Sequence, residues 1–222
     1  MPYNGGVNLD PALLAEERQM LLAGVNYTQL AEHFGCARTT VRERNRRIHK
    51  INIWEAFERK VGREGIPNRL TAPAAFGYWF SGFFDGEGNI MVYHRQRSDR
   101  YAEYRLTIRI ALRDDDAGVI ARIHDNLQVG HISHHGRRGS TNPSIAWACE
   151  DVTDLAEVIV PLFDRYPLYT KKADEYAIWR PLVVTRYIDT MGGYSNRNRI
   201  PEEHRTAFMQ GVEAVRKIHA YA

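Results

Sequence analysis

The chain of 222 residues is 44% hydrophobic and 26% charged, and its formal net charge is +3. This composition is typical of a soluble globular protein, and the length allows one sizeable core and a small second module. The sequence has neither the ~20 unbroken apolar residues of a membrane helix nor the features of a signal peptide. We therefore expect an intracellular protein, in the cytoplasm, the nucleoid or an organelle matrix, that is neither secreted nor bound to a membrane.

The two cysteines, Cys36 and Cys149, lie far apart in the sequence. Neither has a second cysteine close by, which excludes a zinc site of the CxxC type and disfavours a framework of disulfides. The pattern fits a reducing compartment.

Basic residues are concentrated in two spans, residues 38–63 and 95–113. Local cationic clusters of this kind are typical of proteins that bind a polyanion. Each cluster taken alone is explained equally well as an ordinary solvated surface. Only its structural context can indicate whether it binds a polyanion.

The stretch NYTQLAEHFGCARTTVRERNRRIHK, residues 26–50, predicts two short helices joined by a turn. Gly35 is suited to end the first helix in a left-handed conformation. In such a helix-turn-helix, the start of the second helix faces base edges in the major groove of DNA. The residues predicted to lie there are Arg38, Thr39, Thr40 and Arg42. Two alternatives stay open: the pair only packs against the rest of the chain, or it acts as a separate repressor of its own promoter.

Composition divides the chain into a small all-α module at residues 1–61, a linker rich in Gly and Pro at 62–73, and a second domain at 74–222. The hydrophobic patterns after the linker follow the order helix, strand, strand, helix, strand, strand, helix. This order predicts an α+β domain with a single antiparallel sheet.

The stretch FSGFFDGEG, residues 80–88, begins as an apolar helix and ends on two carboxylates, Asp85 and Glu87. The carboxyl end of a helix is the negative end of its dipole, so an added carboxylate there is unfavourable unless a cation compensates it. A carboxylate and a free carbonyl are ligands that a hard cation such as Mg²⁺ takes. Gly82 and Gly86, one turn apart, leave one side of the helix bare for close approach by another helix. The alternative is an ordinary cap or surface pair of carboxylates.

Residues 80–88 resemble, without a gap, the nine-residue signature of the LAGLIDADG homing endonucleases. The resemblance continues from Phe76 to about Val184 and includes the segment YPLYTKKADEYAIW. The N-terminal module and the end of the chain lie outside it. Through this resemblance, the chain is expected to contain an αββαββα domain of the LAGLIDADG type.

The resemblance also implies roles for individual residues. Glu87 would ligate a catalytic Mg²⁺, or another hard divalent cation, together with the carbonyl of Gly86. Asp85 would support the site, and either Lys171 or Lys172 would be the basic residue near it. The glutamine that the family commonly has at the end of the second strand is Leu112 here, followed by Arg113, and this departure leaves open how the attacking water is held. A single motif implies a homodimer, whose predicted interface residues are Phe80, Gly82, Phe83 and Gly86.

Alternation along the predicted strands places apolar residues on one face of the sheet and basic or neutral residues on the other. A basic β-ribbon fits the major groove, where arginine can bind guanine. The residues predicted to contact DNA on this face are Met91, Tyr93, Arg95, Arg97, Arg105, Thr107, Arg109, Arg113, His131, Ser133, His135 and Arg137. The same alternation separates the histidines of GHISHHGRR, which disfavours a zinc site among them.

Three functions remain after these observations. The first is a homing endonuclease that makes a staggered double-strand break in a long, partly palindromic site of double-stranded DNA by metal-dependent hydrolysis. The second is a non-catalytic DNA-binding transcriptional regulator, and the third is an RNA-binding intron maturase, both on the same scaffold. The retained Glu87 favours the enzyme over the regulator, whereas the sequence leaves the maturase open, with DNA expected as the partner ahead of RNA.

Overall fold

The computed structural model describes residues 10–98, 101–136, 142–191 and 202–220, with side chains for all of these except 94–98, 101–103 and 202–203. The described residues divide into two compact units. The first contains residues 10–65 with 188–191, and the second contains residues 66–187 with 202–220.

The first unit is helical. Its helices are α1 (Pro11–Leu22), α2 (Tyr27–His33), α3 (Arg38–Arg44), which continues as a π-helical turn (Asn45–His49), and α4 (Ile53–Glu64). Side chains from all four helices form its core, namely Leu21, Leu30, Ala31, Val41 and Ile53. The helices of the predicted helix-turn-helix are therefore present, and they pack around a common apolar centre.

Local signals fix the ends of α2. Asn26 accepts hydrogen bonds from the N–H groups of Thr28 and Gln29, while the Gln29 side chain accepts from the N–H of Asn26, which is a capping box. At the other end, Gly35 has a φ of +59°, as expected from the sequence. The turn of residues 34–37 that follows has the length usual in a helix-turn-helix.

A buried ionic group joins α3 to α1. The Glu17 carboxylate is 0% exposed and lies 2.6 Å from Nη2 of Arg44. Nε2 of His49 lies 3.5 Å from the same carboxylate. Because an unpaired buried charge is very costly, Arg44 and Glu17 are expected to stay paired.

The second unit begins after α4, which extends to Glu64, inside the range predicted as a linker. The N–H of Arg69 donates to the carbonyl of Glu157 at 2.8 Å, and its side chain pairs with Asp154 and Glu157. Part of the predicted linker is therefore fastened to the second unit, because an arginine holds it to two carboxylates. The division of the chain into domains otherwise stays a prediction.

The second unit has the predicted order of helices and strands. Its elements are α5 (Ala74–Glu87), β1 (Gly88–Ser98), β2 (Tyr101–Arg113), a 3₁₀ turn (Asp114–Asp116), α6 (Ala117–Leu127), β3 (His131–His135), β4 (Ser144–Cys149), α7 (Val152–Asp154), a π-helical turn (Leu155–Ile159), α8 (Val160–Arg165), α9 (Lys171–Met191) and α10 (Glu202–Ala220). The strands form one antiparallel sheet in the order β1-β2-β4-β3. The α+β class and the αββαββα arrangement are thus confirmed, and α9 and α10 follow them.

Aromatic rings of α5 fill the core between the helices and the apolar face of the sheet. The Phe80 ring lies 6.0 Å from Trp147 of β4 and 5.9 Å from Phe163 of α8, measured between centroids. Phe84 lies 5.0 Å from Phe163. Phe80 is 0% exposed within the chain itself, so its predicted place in a dimer interface is wrong. In the helical register, Phe80 faces the core while Gly82 faces outward.

No helix among the described residues is both long enough and apolar enough to cross a membrane.

Candidate functional site

Helix α5 passes into strand β1 without a loop, and this junction places the acidic residues. Gly88, the first residue of the strand, donates its N–H to the carbonyl of Phe84. A Cβ at Gly88 would lie 2.4 Å from the Phe84 ring, so only glycine fits there. The last helical residue is Glu87, which is exposed at the carboxyl end of α5.

Asp85 serves a structural purpose at this junction. Its carboxylate accepts hydrogen bonds from the N–H of Tyr169 at 2.9 Å, from the N–H of Thr170 at 3.2 Å and from the Thr170 hydroxyl at 2.8 Å. These donors precede the first residue of α9, so Asp85 caps the start of that helix from across the fold. The carboxylate is occupied by protein donors, which agrees with a supporting role.

Glu87 and Gly86 are both exposed, so their carboxylate and carbonyl are accessible from solvent. Carbonyls in the last turn of a helix lack intrahelical donors and carry the negative end of its dipole. The described part of the chain contains no group of three or more His, Cys, Asp or Glu side chains placed to hold a metal. Carboxylate and carbonyl oxygens are the ligand types that hard cations take, commonly together with water and substrate phosphate.

A cleft of about 480 Å³ opens beside Asp85. Both candidate lysines line it, but they differ in their contacts. Lys172 Nζ lies 3.1 Å from both carboxylate oxygens of Glu175. Lys171 is exposed and makes no ion pair with the residues that the structure describes. His219, from the far end of α10, also lines the cleft, with Nε2 3.1 Å from Glu175 Oε1.

The outward side of α5 is open. Beyond its own stretch of helix, a Cβ added at either Gly82 or Gly86 would meet no atom of the described residues within 4 Å. Tyr78, one turn before Gly82, is 70% exposed. Phe83 is half-buried because its ring stacks on Trp79 with centroids 5.3 Å apart. The predicted interface glycines and Phe83 therefore lie at the surface, where Tyr78 extends the same face.

Strand register brings most of the predicted DNA-contacting residues to one face of the sheet. Cross-strand partners share a face, and the pairs that show this are Met91 with Thr107, Tyr93 with Arg105, Arg109 with Ala148, Arg113 with Ser144, His131 with Ala148, Ser133 with Ala146 and His135 with Ser144. Arg95 and Arg97 belong to β1, but their side chains are outside the described part, and Arg137 lies outside the described residues altogether.

The face differs from its prediction in two respects. Thr107 is only 4% exposed, since it lies on a central strand, so its predicted contact with DNA is wrong. An acid also accompanies the arginines. Glu150 lies 3.8 Å from Arg105.

The remaining polar residues on this face are accessible. Tyr93, His131, His135 and Arg113 are exposed, while Met91, Arg105, Arg109 and Ser133 are half-buried. Arg109 Nη2 lies 3.4 Å from His135 Nε2. Arg113 pairs with Asp115 at 2.8 Å, at the edge of the sheet.

In the first unit, some basic residues of α3 and of the π-helical turn that follows it are paired with acids, and others are exposed. Arg46 and Arg47 both bind Glu43, and the hydrogen bond from Arg46 lowers the pKa of Glu43 to about 2, so that this acid stays ionised. Arg38 and Arg42 are exposed and make no ion pair within the described ranges. Thr39 and Thr40 are exposed beside them, so all four predicted residues lie on the solvent side of α3.

Sequence reasoning missed four of the residues that line the cleft, namely Thr170, Glu175, Ile218 and His219. Glu175 follows Lys172 by three positions on α9, and this spacing is a usual sign of a helical ion pair that could have indicated it. His219 has no local signal, because α10 brings it to the cleft only through tertiary packing.

Comparisons with known proteins agree with the fold. Residues 80–183 match the model of the LAGLIDADG endonuclease family. A protein of Podospora anserina, described as an uncharacterized 50.9 kDa protein in ND4 intron 1, is 28% identical over 152 residues, or 63% of this chain and 32% of that protein. A probable intron-encoded endonuclease 3 of Neurospora crassa is 28% identical over 103 residues, or 46% of this chain and 19% of that protein. The chain thus spans about a third or less of these relatives.

Among solved structures, the chain is similar to the I-LtrWI LAGLIDADG homing endonuclease bound to target DNA, with a TM-score of 0.50 and 19% identity. The match covers 60% of this chain and 42% of that one. A similarity of this degree establishes the shared fold.

The contacts of Asp85 predict a difference in stability between the two acids. Replacing Asp85 with alanine should lower the free energy of unfolding by about 1 to 3 kcal/mol, because the donors at the start of α9 lose a charged acceptor. Replacing Glu87 with alanine should change it by less than about 0.5 kcal/mol, because that side chain is exposed. Urea unfolding of both variants measures this, and equal losses would contradict the assignment.

Proposed function

We propose that the chain, whose residues 80–183 belong to the LAGLIDADG endonuclease family, is a homing endonuclease that cuts double-stranded DNA at a specific, partly palindromic site. The observation that carries the proposal is the position of Glu87. Its carboxylate is exposed at the end of a helix on which Gly82 and Gly86 are open to solvent, and Asp85, two residues before it, lines a cleft together with two lysines. An enzyme of this kind acts on DNA inside the cell.

Hydrolysis of a phosphodiester needs few protein groups. A divalent cation such as Mg²⁺, when bound, would stabilise the attacking and leaving oxygens. Glu87 and the carbonyl of Gly86 would hold that cation, while Asp85 keeps the start of α9 in place. The lysines at the cleft would attract the scissile phosphate and offset its charge. Leu112 and Arg113 stand where a glutamine is usual, so water is placed without that amide.

Two copies of the chain would form the active enzyme. Each copy supplies one acidic helix end, and a double-strand break needs two such ends. Gly82 and Gly86 are open to solvent and Tyr78 is 70% exposed beside them, so this flank of α5 can take the same flank of a second copy. A partly palindromic DNA site follows from that two-fold symmetry.

The polar face of the sheet would read the DNA. Arg105 and Arg109 lie at its centre and can bind base edges, while His131 and Tyr93 are exposed on the outer strands. Arg113 is at the edge of the sheet and already bound to Asp115, so contact with a phosphate suits it better than contact with a base.

The first unit would add a second contact with DNA. Arg38 and Arg42 are one helical turn apart on the exposed side of α3, with Thr39 and Thr40 between them. Arg44 pairs with the buried Glu17, and Arg46 and Arg47 share the acid Glu43, so Arg38 and Arg42 are the arginines of α3 best placed to meet a phosphate or a base.

A non-catalytic transcriptional regulator and an RNA-binding maturase are the other functions that this fold allows. The exposed Glu87 distinguishes the enzyme from both. Neither reading of DNA nor binding of RNA requires an uncompensated carboxylate beside a phosphate backbone, which it would repel.

Replacing Glu87 with glutamine should abolish cleavage while DNA affinity stays within roughly tenfold, about 1.4 kcal/mol, because the residue holds the metal and contributes little to base reading. Glu213→Gln, the same change at an exposed site on α10, is the matched control. Cleavage and binding are measured with one DNA fragment in Mg²⁺. Cleavage that survives in Glu87→Gln removes the assignment.

Replacing Gly82 with leucine should dissociate the dimer without unfolding the chain. The added side chain finds open space within one copy, but it would collide with a partner that packs on the same face. Gly118→Leu, at an equally open helical glycine of α6, is the control. Sedimentation velocity reports the oligomeric state. A wild-type monomer that cuts both strands, or a Gly82→Leu dimer, contradicts the proposal.

Replacing Arg38 and Arg42 together with alanine should shorten the DNA footprint and weaken binding by roughly 1 to 3 kcal/mol per arginine, with the cleavage position unchanged. Arg59→Ala with Arg63→Ala, two exposed arginines of α4, is the control for lost charge. Footprinting compares the length of DNA that the wild-type chain and this variant protect, and mapping of the cut ends compares their cleavage positions. An unchanged footprint would end the idea of a second contact.

A further inference from the structure

The cleft beside Asp85 contains a charged group that the proposed mechanism leaves unexplained. Glu175 is only 2% exposed, yet it carries a carboxylate. A buried charge is very costly unless it is paired. Two side chains that can carry positive charge contact the Glu175 carboxylate. Lys172 Nζ lies 3.1 Å from each of its oxygens, and His219 Nε2 lies 3.1 Å from Oε1.

His219 reaches this group only because α10 is firmly seated on the second unit. The Phe208 ring of α10 lies 5.4 Å from Tyr104 of β2. Gly211 lies so close to α9 that a Cβ there would be 2.5 Å from Leu182 Cδ1. This helix lies beyond residues 80–183, the part of the chain that matches the family model.

Glu175 restricts the position of the Lys172 ammonium. An ammonium has three N–H donors, and the two oxygens of Glu175 take two of them. The third is left for an acceptor in the cleft. Lys172 is 17% exposed at its side chain, so it is held at the cleft wall, whereas Lys171 extends into solvent.

We propose that Glu175 and His219 are positioning residues that hold Lys172 at the active-site cleft to meet a phosphate of the DNA. The assignment rests on the proposed endonuclease function, and it selects Lys172 over Lys171 as the working lysine. A lysine fixed before DNA arrives loses less side-chain freedom on binding, so its charge acts on the phosphate at lower entropic cost. Through His219, the C-terminal helix becomes part of the catalytic apparatus.

Variants of His219 test the proposal with the least disturbance of the fold. His219→Ala should lower the single-turnover cleavage rate by about tenfold or more, as loss of a supporting partner commonly does, with DNA affinity nearly unchanged. His219→Gln, which keeps a donor for Glu175, should restore most of the rate. Lys217→Ala, at a neighbouring exposed residue of α10, should cleave like the wild type.

Amine labelling of the DNA-free protein, read by mass spectrometry, gives a second measurement that does not depend on cleavage. Lys172 should be labelled more slowly than Lys171 in the wild type, and faster in His219→Ala and Glu175→Gln. Asp174→Asn, at the adjacent exposed acid, should leave the labelling rates unchanged.

The two measurements separate the possible failures. A wild-type protein that cuts no DNA refutes the proposed function, and labelling still decides whether Lys172 is held. A His219→Ala variant with wild-type cleavage and wild-type labelling overturns the positioning role. A variant that loses cleavage and is not rescued by His219→Gln also overturns it.

Discussion

The direct passage from helix α5 into strand β1 is the constraint on which the rest of the site depends. The helix ends at Glu87 and the strand begins at Gly88, which lies against the Phe84 ring with no room for a side chain. Asp85 ties the same junction to the start of α9 through the N–H groups of Tyr169 and Thr170. The acidic helix end, the cleft and the polar sheet face are therefore fixed relative to one another by one short segment.

Ion pairing decides which charges remain for a partner. Arg44 pairs with the buried Glu17, and Arg69 with Asp154 and Glu157, so these arginines serve the fold. A count of basic residues in the sequence does not distinguish these paired arginines from arginines that are accessible to a partner. On α3, Arg38 and Arg42 are exposed and stand outside these pairs, and a polyanion would meet them.

The sequence predicted the fold well because its signals were local. Alternation predicted the strands and the sheet faces, and the apolar start of residues 80–88 predicted a helix there. Prediction from the sequence failed where the burial of a side chain depends on residues that are distant in the chain. Phe80 is next to exposed positions in the motif but lies under Trp147, and Thr107 alternates correctly but lies on a central strand. His219 could not be predicted at all, because only the packing of α10 brings it to Glu175.

The central claim is that this chain is a metal-dependent DNA endonuclease, and cleavage of a randomised DNA library by the wild-type protein tests it most directly. Sequencing of the cut ends with and without Mg²⁺ measures both the dependence on metal and the site. The account predicts staggered double-strand breaks at one partly palindromic sequence, and only when a divalent cation is present. Specific binding to DNA without cleavage in any divalent cation would contradict it and would favour the regulator.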